Sequence, residues 1–539
     1  MAYGLPGIPV PYGGPVDWSV DVRLLRPSDG LPLDRPCRGE PLMPTATQNT
    51  TAAASAPARA GGRRQTGPDW LWAALLTLAV TAFRGGTPQL WRDELASWNA
   101  ASRSTGELLA MLGHVDAVSG LYYLLLHGWV SVFGDSAAML RLPSALAMAG
   151  SAALVVLTAR ALFDRRTAVF AGLLFALLPV VTRYGTEARS YAFVVLAVCA
   201  ATWLLLRALE RPRPGRWAGY AVAVAAAGLL HMVALLFLLP HAMVVALRWW
   251  RDRRGRTLLS FVLAAAAGLL PVIPLVLLGR QQVGRQISWI KTPRLRDIAG
   301  LWDNLFASPL VALAVAALAL LPLAWSRGRR PAVELMLLGA VPILAVYVVS
   351  QGSTSYFIDR YVLFTVPAWA VLAAAGLAAL KPRAAGAAGL AALVLLGVPD
   401  QRHLRTEQAK ETSDGRAAAR VIAQGYRPGD GFVPVRGADR VYMVDFQIEY
   451  YLPGRVHLHD VFAARSALDA DDLFPQECER PEQCLGDTRR IWLVTRDTGK
   501  DDPYSRLPAE QVRALKGHYR VASTTEVRGL HVSLLERTG

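Results

Sequence analysis

The sequence predicts a polytopic α-helical membrane protein with a small α/β domain at its C-terminal end, and three observations predict it. Of 539 residues, 53% are hydrophobic and 18% charged, and mean hydropathy is +0.30, an unusual balance for a soluble chain. The apolar residues are gathered into about eleven long runs. After residue 400 the character changes to mixed charge, turn residues and short β-rich runs such as 491–495 and 530–535.

Residues 1–67 are rich in Pro, Gly, Ala and Thr and lack helical or strand periodicity, so a disordered cytoplasmic tail is expected there. A transmembrane domain is expected over 68–399. Its first run, 70–83, is short and must be extended through its flanks to span a bilayer. Ten more follow near 137–162, 167–182, 190–206, 217–230, 232–247, 258–278, 307–325, 332–350, 361–380 and 384–399.

With the N-terminus in the cytoplasm, the inner loops begin at Asp164, Arg207, Arg248, Arg327 and Lys381. All five are short and basic, as the positive-inside rule asks. The net charge of +16 is therefore read as topology rather than nucleic-acid binding, because the basic residues lie in loops between apolar runs and not along one stripe. The outer segments are then 84–136, 183–189, 279–306 and 351–360. An odd number of spans also places 400–539 outside, in a plasma-membrane protein. One loop breaks the rule: Arg280, Arg285, Lys291, Arg294 and Arg296 crowd 279–306, through either a miscounted span or a phosphate-binding role. Cys478 and Cys484 lie six apart, a spacing that permits a small disulfide loop in an extracytoplasmic domain. With no CxxC pair and no Cys/His cluster, the four cysteines argue against structural zinc.

Charge beside a bilayer is costly unless paired or hydrated, so charges adjoining apolar runs are functional candidates. The first outer segment (84–136) holds Arg92, Asp93, Glu94, His114 and Asp116; the second holds Glu187 and Arg189; Asp359, Arg360 and Tyr361 precede the tenth run. These groups suit glycosyl transfer from a lipid-linked sugar phosphate. The acceptor hydroxyl must lose a proton to a carboxylate, and the departing phosphate needs fixed positive charge. Asp93 is the expected base, with Glu94 and Asp116 as further catalytic candidates. Arg189, Arg360 and Lys291 are expected to hold phosphate, with Glu187 and Tyr361 completing the substrate site. A single base with in-line attack implies inversion at the anomeric carbon. Plainer alternatives stand beside these. Asp93 and Glu94 suit any helix N-terminus; Glu187 and Arg189 can pair with each other; Arg360 can anchor at the interface; Tyr122, Tyr123 and Trp98 read as an aromatic belt. His114 with Asp93, Glu94 or Asp116 leaves a divalent metal open, but no spacing singles one out, and no metal ligand or other cofactor is assigned.

The sequence resembles the GT-C membrane glycosyltransferases, in the branch of protein O-mannosyltransferase-like and aminoarabinose-transferase-like bacterial enzymes related to family 39. The likeness rests on Arg92-Asp93-Glu94, on Asp116 with Leu121-Tyr122-Tyr123-Leu124-Leu125-Leu126, on Leu140-Arg141-Leu142-Pro143-Ser144, on Glu187-Ala188-Arg189-Ser190-Tyr191, and on Asp359-Arg360-Tyr361. It covers roughly 70–380. It implies a polyprenyl-phosphate sugar as donor and Asp93 as base. Ser119-Gly120 stands where the family's proline pair would be, and no sequon-binding motif is found. The expected activity is transfer of a sugar, mannose being one candidate, to a cell-envelope glycan, lipid or protein. The alternative class is a multi-pass transporter or lipid flippase, which would show inverted repeats and mid-membrane charge.

Overall fold

A computed structural model describes residues 69–538 apart from 254, 288, 325–327, 437–441 and 498–501. The tail expected over 1–67, Arg327 and the Arg285 side chain lie outside the described residues. The helices that build the site are α1 (Leu71–Ala82), α2 (Arg92–Ser102), α3 (Thr105–His114), α4 (Gly120–Phe133), α5 (Ala137–Leu162), α6 (Arg165–Leu177), α7 (Pro179–Gly185) and α8 (Tyr191–Glu210).

Each predicted apolar run is occupied by helix. Among the described residues, six helices are long and apolar enough to cross a membrane, or up to eight if each of two bent pairs is one span. One bent pair is α6 with α7, which meet at 56° where Pro179 opens α7. The expectation of eleven spans goes beyond this. The helices Leu71–Ala82 and Arg383–Leu396 have 12 and 14 residues, about 18 and 21 Å against a hydrocarbon core of about 30 Å. Large apolar side chains such as Leu263, Leu270, Leu313 and Val348 remain more than half exposed on the bundle, as lipid-facing positions require.

Residues 84–136 fold into a packed shelf rather than a loop. A capping box starts α3, Ser104 and Glu107 satisfying each other's backbone groups. Tyr122 and Tyr123 on α4 are buried, not belt residues, because the helix packs that face against the bundle while Leu125 and Phe133 stay exposed.

The C-terminal region holds strands β1 (Gly431–Pro434), β2 (His459–Asp460), β3 (Ala463–Arg465), β4 (Gln476–Glu477), β5 (Arg490–Arg496), β6 (Tyr519–Val527) and β7 (Leu530–Arg537). Five form one mixed sheet in the order β2-β1-β5-β7-β6. Ile491 and Leu493 enter one apolar core while Trp492 and Val494 enter another. Strand β5 is therefore covered on both faces, which explains its unbroken apolar run. Cys478 and Cys484 are joined by a disulfide.

This region docks on the shelf through polar contacts. Gln89 Nε2 donates to Asp414 at 2.8 Å, the Leu90 amide to the Tyr451 hydroxyl at 3.0 Å, and Arg103 to the Asp472 carbonyl at 2.6 Å.

Candidate active site

Asp93 and Glu94 occupy the first turn of α2. Successive helical residues point about 100° apart, and here that rotation separates two neighbouring carboxylates into different surroundings. Glu94 turns inward and is fully buried. Arg141 of α5 grips it through Nε to Oε1 at 2.7 Å and through Nη2 to Oε2 at 2.6 Å, and the Ala188 amide donates to Oε1 at 2.9 Å. Arg141 spends its other donors on the carbonyls of Gly85, Pro88 and Gln89, so all five of its N–H groups are used. Burial works against ionisation of Glu94, but Arg141 and then Lys410 outweigh it and hold the carboxyl down at about 2.

Asp93 turns toward the arginines. Its side chain keeps 15% exposure, with Arg92 Nε at 3.3 Å and Arg360 Nη2 at 3.8 Å. Burial opposes its charge, yet Arg360, Arg189 and Arg92 prevail and lower its pKa. The Arg360 guanidinium lies over the rings of Trp91, Tyr191 and Trp289 at 5.8, 6.0 and 5.8 Å, and its Nε is buried without a hydrogen-bond partner. Arg189 donates to the Tyr123 hydroxyl at 2.9 Å and stands 3.9 Å from Asp116; Tyr123 in turn donates to Asp116. Asp116 sits in the left-handed region, φ +56°, just ahead of α4.

Glu187 and Arg189 do not pair. The Arg189 amide bonds back to the Glu187 carbonyl, and the side chains diverge. Arg189 goes to Tyr123, and Glu187 lies buried beside Lys410. Burial raises the Glu187 pKa. Lys410 arrives from beyond the last apolar helix, donates to the Thr186 carbonyl and stands 3.6 Å from Glu94. Burial lowers its pKa to about 8, against the pull of Glu94.

The structure thus brings Asp93, Glu94, Asp116, Glu187, Arg189 and Arg360 together. Tyr361 is adjacent, its ring 4.4 Å from His231. Lys291 is exposed and makes no ion pair among the described residues. His114 bonds its own helix at Ala110, and no group of three or more His, Cys, Asp or Glu side chains among the described residues is placed to hold a metal ion. Two site residues have no role assigned from sequence. Arg141 carries a visible signal, a charge inside an apolar run; Lys410 carries none.

A helical membrane bundle whose rim collects carboxylates and arginines under an α/β domain defines the class. Residues 120–277 match the family described as dolichyl-phosphate-mannose-protein mannosyltransferase. That stretch includes Glu187 and Arg189 and stops short of Asp93 and Arg360. No curated protein matches the chain. Among solved structures, ArnT from Cupriavidus metallidurans in the apo state aligns with a TM-score of 0.59 at 15% identity, over 86% of this chain and 97% of ArnT. The same protein bound to undecaprenyl phosphate gives 0.59 at 14% identity, with the same coverage. The chain shares its fold with these ArnT structures.

Removing Glu94's charge tests its structural role. Glu94→Gln leaves Arg141 buried without a counter-ion and should destabilise the protein by roughly 3–5 kcal/mol. Thermal unfolding of the detergent-purified variant would show this as a clear drop in melting temperature. An unchanged melt for Glu94→Gln would remove the anchor role.

Proposed function

We propose that this protein is an inverting membrane glycosyltransferase that moves a sugar from a polyprenyl phosphate to a cell-envelope acceptor. The observation that carries the reading is the partly exposed Asp93 carboxylate enclosed by Arg92, Arg189 and Arg360. As the acceptor oxygen bonds to the anomeric carbon, the bond to the phosphate oxygen breaks, the hydroxyl proton passes to Asp93, and the leaving phosphate is neutralised by Arg189 and Arg360. Arg360 has an unpartnered Nε to offer.

A carboxylate as acidic as Asp93 is a weak ground-state base. It takes the proton late, as positive charge builds on the sugar ring, and stabilises that charge through space. Phosphate departs as an anion, so no general acid is required. Asp116 orients Tyr123 and Arg189, while Glu94 positions the shelf. The polyprenyl-phosphate donor is supported by the bound undecaprenyl phosphate of ArnT, and mannose by the family description of 120–277. The rim and domain 400–539 are assigned to the extracytoplasmic side, with the N-terminus cytoplasmic. The Cys478–Cys484 bond favours that side because disulfides persist in oxidising compartments.

Incubating the purified protein with a panel of polyprenyl-phosphate sugars and envelope extracts should give labelled product that Asp93→Asn abolishes without changing the melting temperature. Full activity in that variant would discard Asp93 as the base.

The pH profile supplies a second test. A base is lost as pH falls through its pKa, and the Asp93 value lies below the ordinary 3.8, so the wild-type profile should show no acidic limb down to about pH 5. Arg360→Gln removes the largest opposing charge, leaving only Arg189 and Arg92 against burial, so the Asp93 pKa should rise. The residual kcat/KM should then fall off at higher pH than in wild type; an unmoved limb would disconnect Arg360 from Asp93.

A further inference from the structure

Beside the Asp93 cluster lies a cavity of about 440 Å³ that the transfer step above does not use. Trp91 is common to both: it lines the cavity, and its ring lies 5.8 Å from the Arg360 guanidinium. The other walls come from three separated segments, the end of α7 with Glu187, the helix Asp297–Phe306 with Asp303 and Asn304, and residues 400–410 with Asp400, His403 and Lys410.

The chemistry of the walls narrows the occupant. The two fixed cations that line the space both have acidic partners already: Arg183 stands 3.9 Å from Asp359, and Lys410 donates to Thr186, stands 3.6 Å from Glu94 and lies beside Glu187. Glu187, Asp303 and Asp400 therefore set the character of the cavity, together with the neutral Asn304. Glu187 is only 4% exposed, and its Oε1 has no hydrogen-bond partner. A buried carboxylate oxygen left unmatched demands a donor. Acids that outnumber free cations repel phosphate and accept from hydroxyls, and the indole of Trp91 offers an apolar face of the kind sugar rings pack on. The volume falls within the range of small-molecule sites.

We propose that this cavity is the acceptor pocket, and that it receives the hydroxyl-rich end of a glycan rather than a lipid phosphate or a peptide. The inference rests on the glycosyltransferase reading and adds the acceptor class to it. The segment 400–410 then acts as a wall of the pocket, so the α/β domain and its connector take part in acceptor choice.

The test uses the full chain in lipid nanodiscs and saturation-transfer NMR with methyl glycosides and the disaccharides maltose and sucrose. Inorganic phosphate serves as the competing anion, and undecaprenyl phosphate is titrated separately. Saccharide signals should appear, resist inorganic phosphate, and weaken roughly tenfold in Asn304→Trp, which fills the cavity from an exposed helix position. Asp400→Asn should weaken them without altering the melting temperature. No saccharide signal in protein that binds undecaprenyl phosphate would overturn the pocket, and so would signals indifferent to both variants. Saccharide binding that persists in protein unable to bind undecaprenyl phosphate would uphold the pocket and count against the donor reading instead.

Discussion

The buried pair of Glu94 and Arg141 is the constraint on which the rest of the rim depends. Two charges removed from water repay their desolvation only when every donor and acceptor is satisfied, and here they are. Arg141 binds both carboxylate oxygens and three carbonyls from the chain between α1 and α2. A sixth contact, the Ala188 amide on Glu94, ties in the turn that carries Arg189. One ion pair therefore fixes α1, α2, α5 and the start of α8 relative to one another. Asp93 inherits its position from this: with Glu94 locked inward, the next carboxylate has no choice but to face Arg189 and Arg360.

The same geometry sets the electrostatics. Glu94 and Glu187 are buried and Asp93 is largely shielded, so desolvation pushes each toward the neutral form. Their fates diverge only because the partners differ. Glu94 has Arg141 in bidentate contact; Asp93 has one hydrogen bond from Arg92, with Arg360 and Arg189 acting on it through space; Glu187 has the less basic Lys410, shared with Glu94. Titratable groups driven apart by their surroundings are a mark of a working site. The proposed transfer needs a fixed negative charge near the anomeric carbon and positive charge around the phosphate, and Asp93 with Arg189 and Arg360 offers both charges in a fixed arrangement.

Much of this was legible in the sequence, and what was not has physical reasons. Asp93, Asp116, Arg189 and Arg360 could be picked out because charges at the ends of apolar runs must have water or a partner. The division of labour between Asp93 and Glu94 could not, because it depends on the rotation of α2 about its axis, which a single short helix of mixed character does not reveal. Tyr122 and Tyr123 match the pattern of interfacial aromatics, yet they are buried, since α4 lies against the bundle with its leucines turned outward. Arg141 announced itself as a charge in an apolar run and was read only as part of a motif. Lys410 is 316 residues from its partner Glu94 in a polar connector, and no local pattern predicts so distant a contact.

That distant contact changes how the α/β domain is to be regarded. A domain tethered by a loose linker would touch the bundle through scattered, exchangeable contacts. Here the connector delivers a lysine with 6% side-chain exposure to the backbone of Thr186 and the carboxylate of Glu94. The domain proper adds Asp414, Tyr451 and the Asp472 carbonyl as partners for the shelf. The shelf is thus held from below by Arg141 and from above by the domain. In the proposed role Asp93 gains from such double support, since its distance to the arginines governs both its charge and its aim, and small errors in aim are costly to rate. The fold meets the demand by clamping a helix of only 11 residues between two larger bodies, neither of which carries Asp93 itself.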